Sequence, residues 1–285
     1  MTLERSLLRP WIFILLILSL QLPVAGGDAR TEDYREIIKI GGTGGAYGVM
    51  AQVGAAFQKK NPHMHIAFSP SLGSTGGIKA VLAGALDLGL SSRPLTAEEL
   101  QQGAVAVEYG RTPLILVTSY RGAAINFTLE QIASLYSGKI KNYPDDTPIR
   151  LILRPRGDSD TSFLSGLSPE IAAAVLKAQT REGMIVASTD QDNANALERI
   201  KGAIGWMTLA QLISEKRSLT PLAIENIMPS LETFSSGVYP YNKPFSVVIR
   251  PNPTKVVKSF LEFLTSAAGR KILFNNGILV DQEKL

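Results

Sequence analysis

The sequence predicts an α/β protein in which mostly parallel β-sheets are flanked by helices. Three observations favour this class. Short apolar runs alternate with segments of helical periodicity, which is the pattern of β–α–β units. Glycine, serine and threonine cluster where predicted strands end, as is typical of the ligand-binding edge of such sheets. Turn-rich stretches at residues 118–122 and 235–244 divide the apolar pattern into two parts.

The N-terminal segment has the features of a signal peptide. Arg5 and Arg9 precede an apolar run at residues 11–20, and small residues follow, with Gly26 and Gly27 at the expected cleavage point. The run is shorter than the about 20 apolar residues that a membrane-spanning helix needs. We therefore expect residues 1–26 to be a signal peptide and the remaining chain to be periplasmic. An uncleaved N-terminal anchor is the alternative.

The first elements of the remaining chain follow in order. A strand at residues 36–40 ends at Gly41 and Gly42, and a helix at 46–60 ends before Pro62 because proline cannot continue it. A second strand is expected at 65–68. The next helix is expected to begin with Ser74 as its cap, since a serine side chain can accept a backbone N–H there. Further strands are expected at 86–90 and 114–118.

The second half of the chain continues the alternation. A helix at residues 128–137 has a threonine at its start and Gly138 at its end. Strands are predicted at 150–153, 184–187, 203–206 and 245–249, and helices at 169–181, 193–200 and 254–264.

The two turn-rich stretches predict where the chain passes between two lobes. If the chain crosses at both, residues 27–118 and 241–285 form lobe 1, and residues 119–240 form lobe 2. Two lobes joined by two strands make a hinge with a cleft that can close on a ligand. The alternative is one continuous sheet with a surface loop at residues 235–244.

Four strand–helix junctions contain the polar groups of a predicted anion site, at residues 41–48, 69–77, 91–94 and 154–161. Glycines let backbone N–H groups approach a ligand, hydroxyls donate hydrogen bonds, and helix dipoles add positive charge. Arg93, Arg154 and Arg156 could each grip an oxyanion through two bonds. The alternatives are that Ser74 and Ser159 are only helix caps and that Arg93 is a solvated loop charge.

These residues resemble the periplasmic phosphate-binding proteins of ABC transporters, which have the class II periplasmic-binding-protein fold. The resemblance is strongest at residues 41–95 and extends to segments at 127–140, 202–206 and 266–270. It implies two lobes, each a mostly parallel sheet flanked by helices, joined by a two-strand hinge. It also implies that Arg154 binds the anion, with Arg156 as second choice because the spacing differs by one residue. The candidate ligand-binding residues are Thr43, Gly44, Gly45, Ser74, Thr75, Ser92, Arg93, Arg154, Arg156, Ser159, Asp160 and Thr161.

One position departs from the family in a way that affects selectivity. The family has an aspartate where this chain has Ser92, and that aspartate accepts the proton of hydrogen phosphate and repels sulfate. The possible substitutes are Asp158, Asp160, Asp190 and Asp192, although residues 189–193 could instead cap the next helix. Phosphate is expected, and sulfate, molybdate and tungstate remain alternatives.

Composition excludes several other classes of protein. The chain has no cysteine and only two histidines, so thiolate chemistry is excluded and a histidine-rich metal site is disfavoured. The chain has 29 Lys and Arg and 25 Asp and Glu, and its basic residues form no block in the sequence. This argues against nucleic-acid binding. We expect no catalytic or metal-binding residue and no cofactor, a membrane permease as partner, and a monomer. An anion sensor for a signalling receptor and, from another class, a nucleotide-dependent enzyme are the alternatives.

Overall fold

A computed structural model describes residues 36–280, so the expected signal peptide lies outside the described residues. Its strands are β1 (Glu36–Gly42), β2 (Met64–Phe68), β3 (Leu88–Ser91), β4 (Val105–Thr118), β5 (Asn126–Phe127), β6 (Arg150–Leu153), β7 (Ile185–Val186), β8 (Ala203–Thr208), β9 (Thr220–Pro221), β10 (Ala223–Ile224) and β11 (Asn242–Ile249). Its helices are α1 (Tyr47–Lys60), α2 (Gly73–Leu82), α3 (Ala97–Gln101), α4 (Leu129–Ser137), α5 (Ser159–Ser165), α6 (Pro169–Thr180), α7 (Asp190–Arg199), α8 (Leu209–Ser214), α9 (Leu231–Ser235), α10 (Lys255–Thr265) and α11 (Ala267–Asn275).

One mixed sheet runs through this part of the chain in the order β2-β1-β3-β11-β4-β8-β6-β7, with β9 paired to β4. Strands β2, β1 and β3 are parallel to one another, and so are β8, β6 and β7. Strands β11 and β4 lie between these two parallel sets and pair antiparallel. The predicted α/β class, with helices flanking largely parallel strands, is therefore confirmed.

Strand β4 connects the two parallel sets. Its first part pairs with β11, and residues 114–118 pair with β8. The sequence predicted only the second part, because residues 105–113 include Glu108, Arg111 and Pro113 and lack an apolar run. The full strand links β11, and through it the set of β2, β1 and β3, to the set of β8, β6 and β7.

Buried side chains form two main clusters. The terminal core contains buried residues of β1, α1, β3, β11 and α10, such as Ile40, Val53 and Phe260. The central core contains buried residues of β4, α4, β6, α6 and β8, such as Leu116 and Trp206. The burial of such apolar surface is the dominant favourable contribution to folding.

Glycine is required at Gly42 in β1 for its backbone conformation and at Gly77 in α2 for the close approach of this helix to β1. Gly42 has a φ of 137°, a value that side chains with a Cβ rarely adopt. A Cβ at Gly77 would lie 2.6 Å from the Gly42 Cα. The start of α2 is thereby held against the end of β1, which places both next to the same sheet edge.

Two expectations about helix starts have different outcomes. Ser74 is not the cap of α2, because the helix begins at Gly73 with Leu72 as its N-cap, and the Ser74 hydroxyl contacts Ser92 instead. Thr189 does cap α7, where its side chain accepts the N–H of Asp192 and the Asp192 carboxylate accepts the N–H of Thr189. No helix within residues 36–280 has both the length and the apolar character needed to cross a bilayer.

Candidate functional site

Three hydroxyls meet at the carboxyl edge of the parallel set that contains β1 and β3. Thr43 follows β1, Ser92 follows β3, and Ser74 lies in the first turn of α2; all three are buried. The backbone N–H of Ser92 donates to Ser74 Oγ at 3.0 Å, and the two serine hydroxyls are 3.2 Å apart. Ser92 Oγ also donates to Thr43 Oγ1 at 3.5 Å. Parallel strands end at the same edge of a sheet, which is why these separate segments converge.

Arg154 is the charged centre of a second group of polar side chains. It lies directly after β6 and is 6% exposed. Its Nη1 donates to the Ala187 carbonyl at 2.7 Å, and its Nη2 donates to Asp158 at 2.8 Å and to Asp190 at 3.5 Å. Its Nε has no hydrogen-bond partner among the described residues. A buried guanidinium with a free donor can bind an oxyanion.

The two groups contact each other directly. Ser92 Oγ lies 3.1 Å from Ser159 Oγ, where Ser159 is the first residue of α5. Thr43 Oγ1 donates to Asp190 Oδ2 at 3.2 Å. Donors from the terminal part of the sheet and from the part around β6 therefore form one continuous network.

The Gly44 and Gly45 turn lies against the start of α7 and the end of β8. The Gly44 carbonyl accepts from Gln191 Nε2 at 3.1 Å, and the Gly45 carbonyl accepts from Thr208 Oγ1 at 3.3 Å. A Cβ at Gly44 would lie 2.1 Å from Gln191 Oε1, so the Gln191 side chain would have to shift to make room for one. Both glycines are buried beside Thr43.

Other predicted residues lie at the edge of this network or within its scaffold. Arg93 forms an ion pair with Glu99 at 2.7 Å and donates to Thr75 Oγ1 at 3.0 Å, and Thr75 is exposed. Arg156 is exposed, whereas Thr161 is buried and donates to the Arg154 carbonyl at 3.2 Å. Among the arginines, only Arg154 reaches the serine and threonine network in this structure's described residues, through Asp190.

Sequence reasoning missed Lys243, which the structure places inside the network. Lys243 lies on β11, is 4% exposed and donates to Ser159 Oγ at 2.6 Å. It also forms an ion pair with the buried carboxylate of Asp160. The predicted strand began at residue 245, so Lys243 fell in the expected crossing loop, and only its pairing with Thr112 of β4 reveals its position.

The charges of the site perturb one another. Burial raises the pKa of Asp158 to about 6; the Asp160 carboxylate acts in the same direction, and the Arg154 guanidinium opposes it. Burial alone would lower the pKa of Arg154, but the carboxylates of Asp190, Asp158 and Asp160 raise it above its ordinary value. Outside the network, the hydrogen bonds from Arg93 lower the pKa of Glu99 to about 2.

Comparison with known proteins identifies related chains. A family profile described as PBP superfamily domain matches residues 25–268. The chain is 25% identical over 262 residues to the phosphate-binding protein PstS of Borreliella burgdorferi, covering 88% of this chain and 92% of that protein. It is 24% identical over 262 residues to the protein SphX of Synechococcus elongatus, covering 83% and 75%.

Solved structures share the fold. One from Clostridium perfringens, described as a phosphate ABC transporter substrate-binding protein with bound phosphate, has a TM-score of 0.74 at 24% identity and covers 87% of this chain and 100% of that one. An ABC-type phosphate transport receptor from Vibrio cholerae has a TM-score of 0.61 at 19% identity, covering 86% and 100%. At these identities the likeness shows a common architecture.

Proposed function

This chain belongs to the PBP superfamily, and we propose that it is a solute-binding protein that captures phosphate for an ABC transporter. The contact between the two polar groups, through Ser92 and Ser159 at 3.1 Å, is the observation that most supports this function. Relatives named phosphate-binding protein, and a solved structure of the same fold with bound phosphate, favour phosphate as the ligand. The role is binding and delivery, without a catalytic step.

In the proposed complex the anion receives donors from both sides of the network. Thr43, Ser74 and Ser92 supply hydroxyls from one side, with the backbone N–H groups of Gly44 and Gly45 beside them. Arg154 and Ser159 supply donors from the other side. The hydroxyls now bond to one another or to a carboxylate, and Arg154 donates to carboxylates and to the Ala187 carbonyl. A phosphate oxygen could replace such an acceptor without leaving its donor buried and unpaired.

The two cores suggest lobe limits that differ from those expected from the sequence, because residues 114–117 and Tyr241, expected in lobe 1, belong to the central core. Paired strands join the two cores. Tyr109 belongs to the terminal core and Leu114 to the central core, so the first crossing is proposed within residues 110–113. Tyr241 belongs to the central core and Phe245 to the terminal core, which puts the second crossing at residues 242–244. These two segments pair with each other, as a two-strand hinge requires. Anion binding would then favour the closed arrangement by the difference in its affinity for the two states.

Asp190 is the proposed proton acceptor that replaces the aspartate expected at Ser92. It accepts from Thr43 on one side and from Arg154 on the other, so an anion held by both would lie next to its carboxylate. Hydrogen phosphate can donate its proton to this carboxylate, whereas sulfate has none and faces a like charge. Asp158 also accepts from Arg154, but its other partner is the Asp160 N–H, and among the described residues it has no hydrogen bond to Thr43, Ser74 or Ser92.

The proposed location is the periplasm, with residues 1–26 acting as a signal peptide that is removed on export. The proposed partner is a membrane permease, and the protein is proposed to act as a monomer. The apolar run, its preceding arginines and the small residues after it support export.

Isothermal calorimetry with phosphate and sulfate tests the proposed function. We expect saturable binding of phosphate at one site and at least tenfold weaker binding of sulfate. Asp190→Asn should reduce this preference, because an amide does not repel sulfate, while the exposed control Asp146→Asn should leave it unchanged. Absence of phosphate binding by the unaltered protein would contradict the function, and an unchanged preference in Asp190→Asn would contradict the acceptor assignment.

A further inference from the structure

The buried ion pair between Lys243 and Asp160 is not among the proposed phosphate contacts. Lys243 is 4% exposed and Asp160 is 3% exposed. Lys243 belongs to β11, in the segment proposed as hinge, whereas Asp160 belongs to α5. Lysine and aspartate are rarely buried this completely unless they are paired, because the removal of each charge from water is costly.

Lys243 contacts the hydroxyl network through Ser159. Its ammonium donates to Ser159 Oγ at 2.6 Å, and Ser159 Oγ lies 3.1 Å from Ser92 Oγ. An ammonium has three N–H groups, and the described residues provide Lys243 with two acceptors, Ser159 and Asp160. An anion that contacts Ser92 and Ser159 would therefore lie within reach of this cation.

The charges around the network do not favour an anion as they stand. Arg154 and Lys243 are positive, and Asp158, Asp160 and Asp190 are negative, so carboxylates outnumber cations. Each buried carboxylate repels an incoming dianion, and the repulsion is strong where water is excluded. Asp160 has a second effect. Its carboxylate accepts a hydrogen bond from the Lys243 ammonium that a phosphate oxygen could otherwise accept.

We propose that Lys243 is a second anion-binding cation and that Asp160 is an internal competitor for it. This inference rests on the proposed function. A bound phosphate would accept hydrogen bonds from the Lys243 ammonium. The attraction between Lys243 and Asp160 would oppose this contact and so lower the affinity for phosphate. Because Lys243 lies in the proposed hinge, the contact would also bind the anion to the strand that joins the two cores.

Calorimetry of two variants with phosphate and with sulfate tests this proposal. Lys243→Gln should weaken phosphate binding about 10- to 100-fold, the loss expected for a hydrogen bond to a charged group. Asp160→Asn keeps an oxygen acceptor for Lys243 but removes the negative charge, so it should tighten the binding of both anions several-fold. Lys177→Gln and Asp146→Asn, at exposed positions, are the matched controls and should match the unaltered protein.

The alternative is that the pair only stabilises the fold. In that case Lys243→Gln would lower the thermal unfolding temperature and leave the affinity of the folded protein unchanged, which would overturn the proposal. Unchanged or weaker phosphate binding in Asp160→Asn would also overturn it, because Asp160 would then not compete with the ligand for Lys243. If Lys243→Gln does not fold, the phosphate affinity of Asp160→Asn still tests the proposal. Loss of phosphate binding in the unaltered protein would instead contradict the proposed function itself and, with it, this inference.

Discussion

At the scale of single residues, Arg154 is the group on which the proposed site depends most. Its guanidinium is buried after β6, and its Nη2 donates to Asp158 and Asp190. The sequence favoured it and left Arg156 as second choice, since both lie near the end of the same strand. The structure separates them by exposure, because Arg156 faces solvent.

Arg154→Ala should weaken phosphate binding by about 1.5–3 kcal/mol, the range for a hydrogen bond to a charged group. Arg156→Ala should change the affinity far less, because an exposed charge is screened by water and salt. Calorimetry of the two variants side by side measures the difference. Equal losses, or a larger loss in Arg156→Ala, would contradict the assignment of Arg154.

Asp158 should give the stability of the protein a characteristic pH dependence. Its pKa is raised from 3.8 to about 6, so the folded protein binds the proton more tightly than the unfolded chain does. The contribution of Asp158 to the free energy of unfolding therefore rises as the pH falls from 7 to 4, and it is lost as the pH rises through 6.

Denaturant unfolding of the unaltered protein and of Asp158→Asn between pH 4 and 7 measures this contribution. Asparagine can still cap α5, so the cap is retained while the titration is removed. As the pH falls, we expect the free energy of unfolding of the unaltered protein to rise relative to that of the variant. If the free energies of unfolding of the two proteins changed by the same amount over this pH range, the raised pKa of Asp158 would be contradicted.

At the scale of elements, sequence patterns predict the long and well-capped segments best. Helix α4 has Thr128 as its cap and Gly138 in the left-handed conformation at its end, and both were expected from residue type. Helices α5 and α8 were missed because they span 7 and 6 residues, too few for a helical periodicity to repeat. The first part of β4 was missed because its pairing with β11, and not its own composition, makes it a strand.

Thr128→Ala should lower the free energy of unfolding by about 1 kcal/mol, because it removes the acceptor of a reciprocal cap. The Thr128 hydroxyl accepts from the Gln131 N–H at 3.1 Å, and Gln131 accepts from the Thr128 N–H at 2.9 Å. Thr180→Ala, at the exposed end of α6, is the control, and it should cost less. Equal effects of the two changes in denaturant unfolding would show that the cap contributes little.

At the scale of the whole molecule, the sheet decides which predicted junctions meet. The hydroxyls after β1 and β3 could be expected together, since parallel strands share a carboxyl edge. Ser159 was expected in the same anion site, but its direct contact with Ser92 and that of Asp190 with Thr43 could not be predicted, because they depend on how β11 and β4 join the two parallel sets. Lys243 was missed for the same reason, and Asp190 could be seen from sequence only as one of several carboxylates.

A crystal structure of the protein grown with phosphate would be the most direct test of capture between the two cores. We expect one tetrahedral anion within hydrogen-bonding distance of Thr43 or Ser92 on one side and of Arg154 or Ser159 on the other. An anion that contacts only the Thr43 and Ser92 side or only the Arg154 and Ser159 side would contradict the proposed mode of binding. An anion that binds away from all four side chains would contradict it as well.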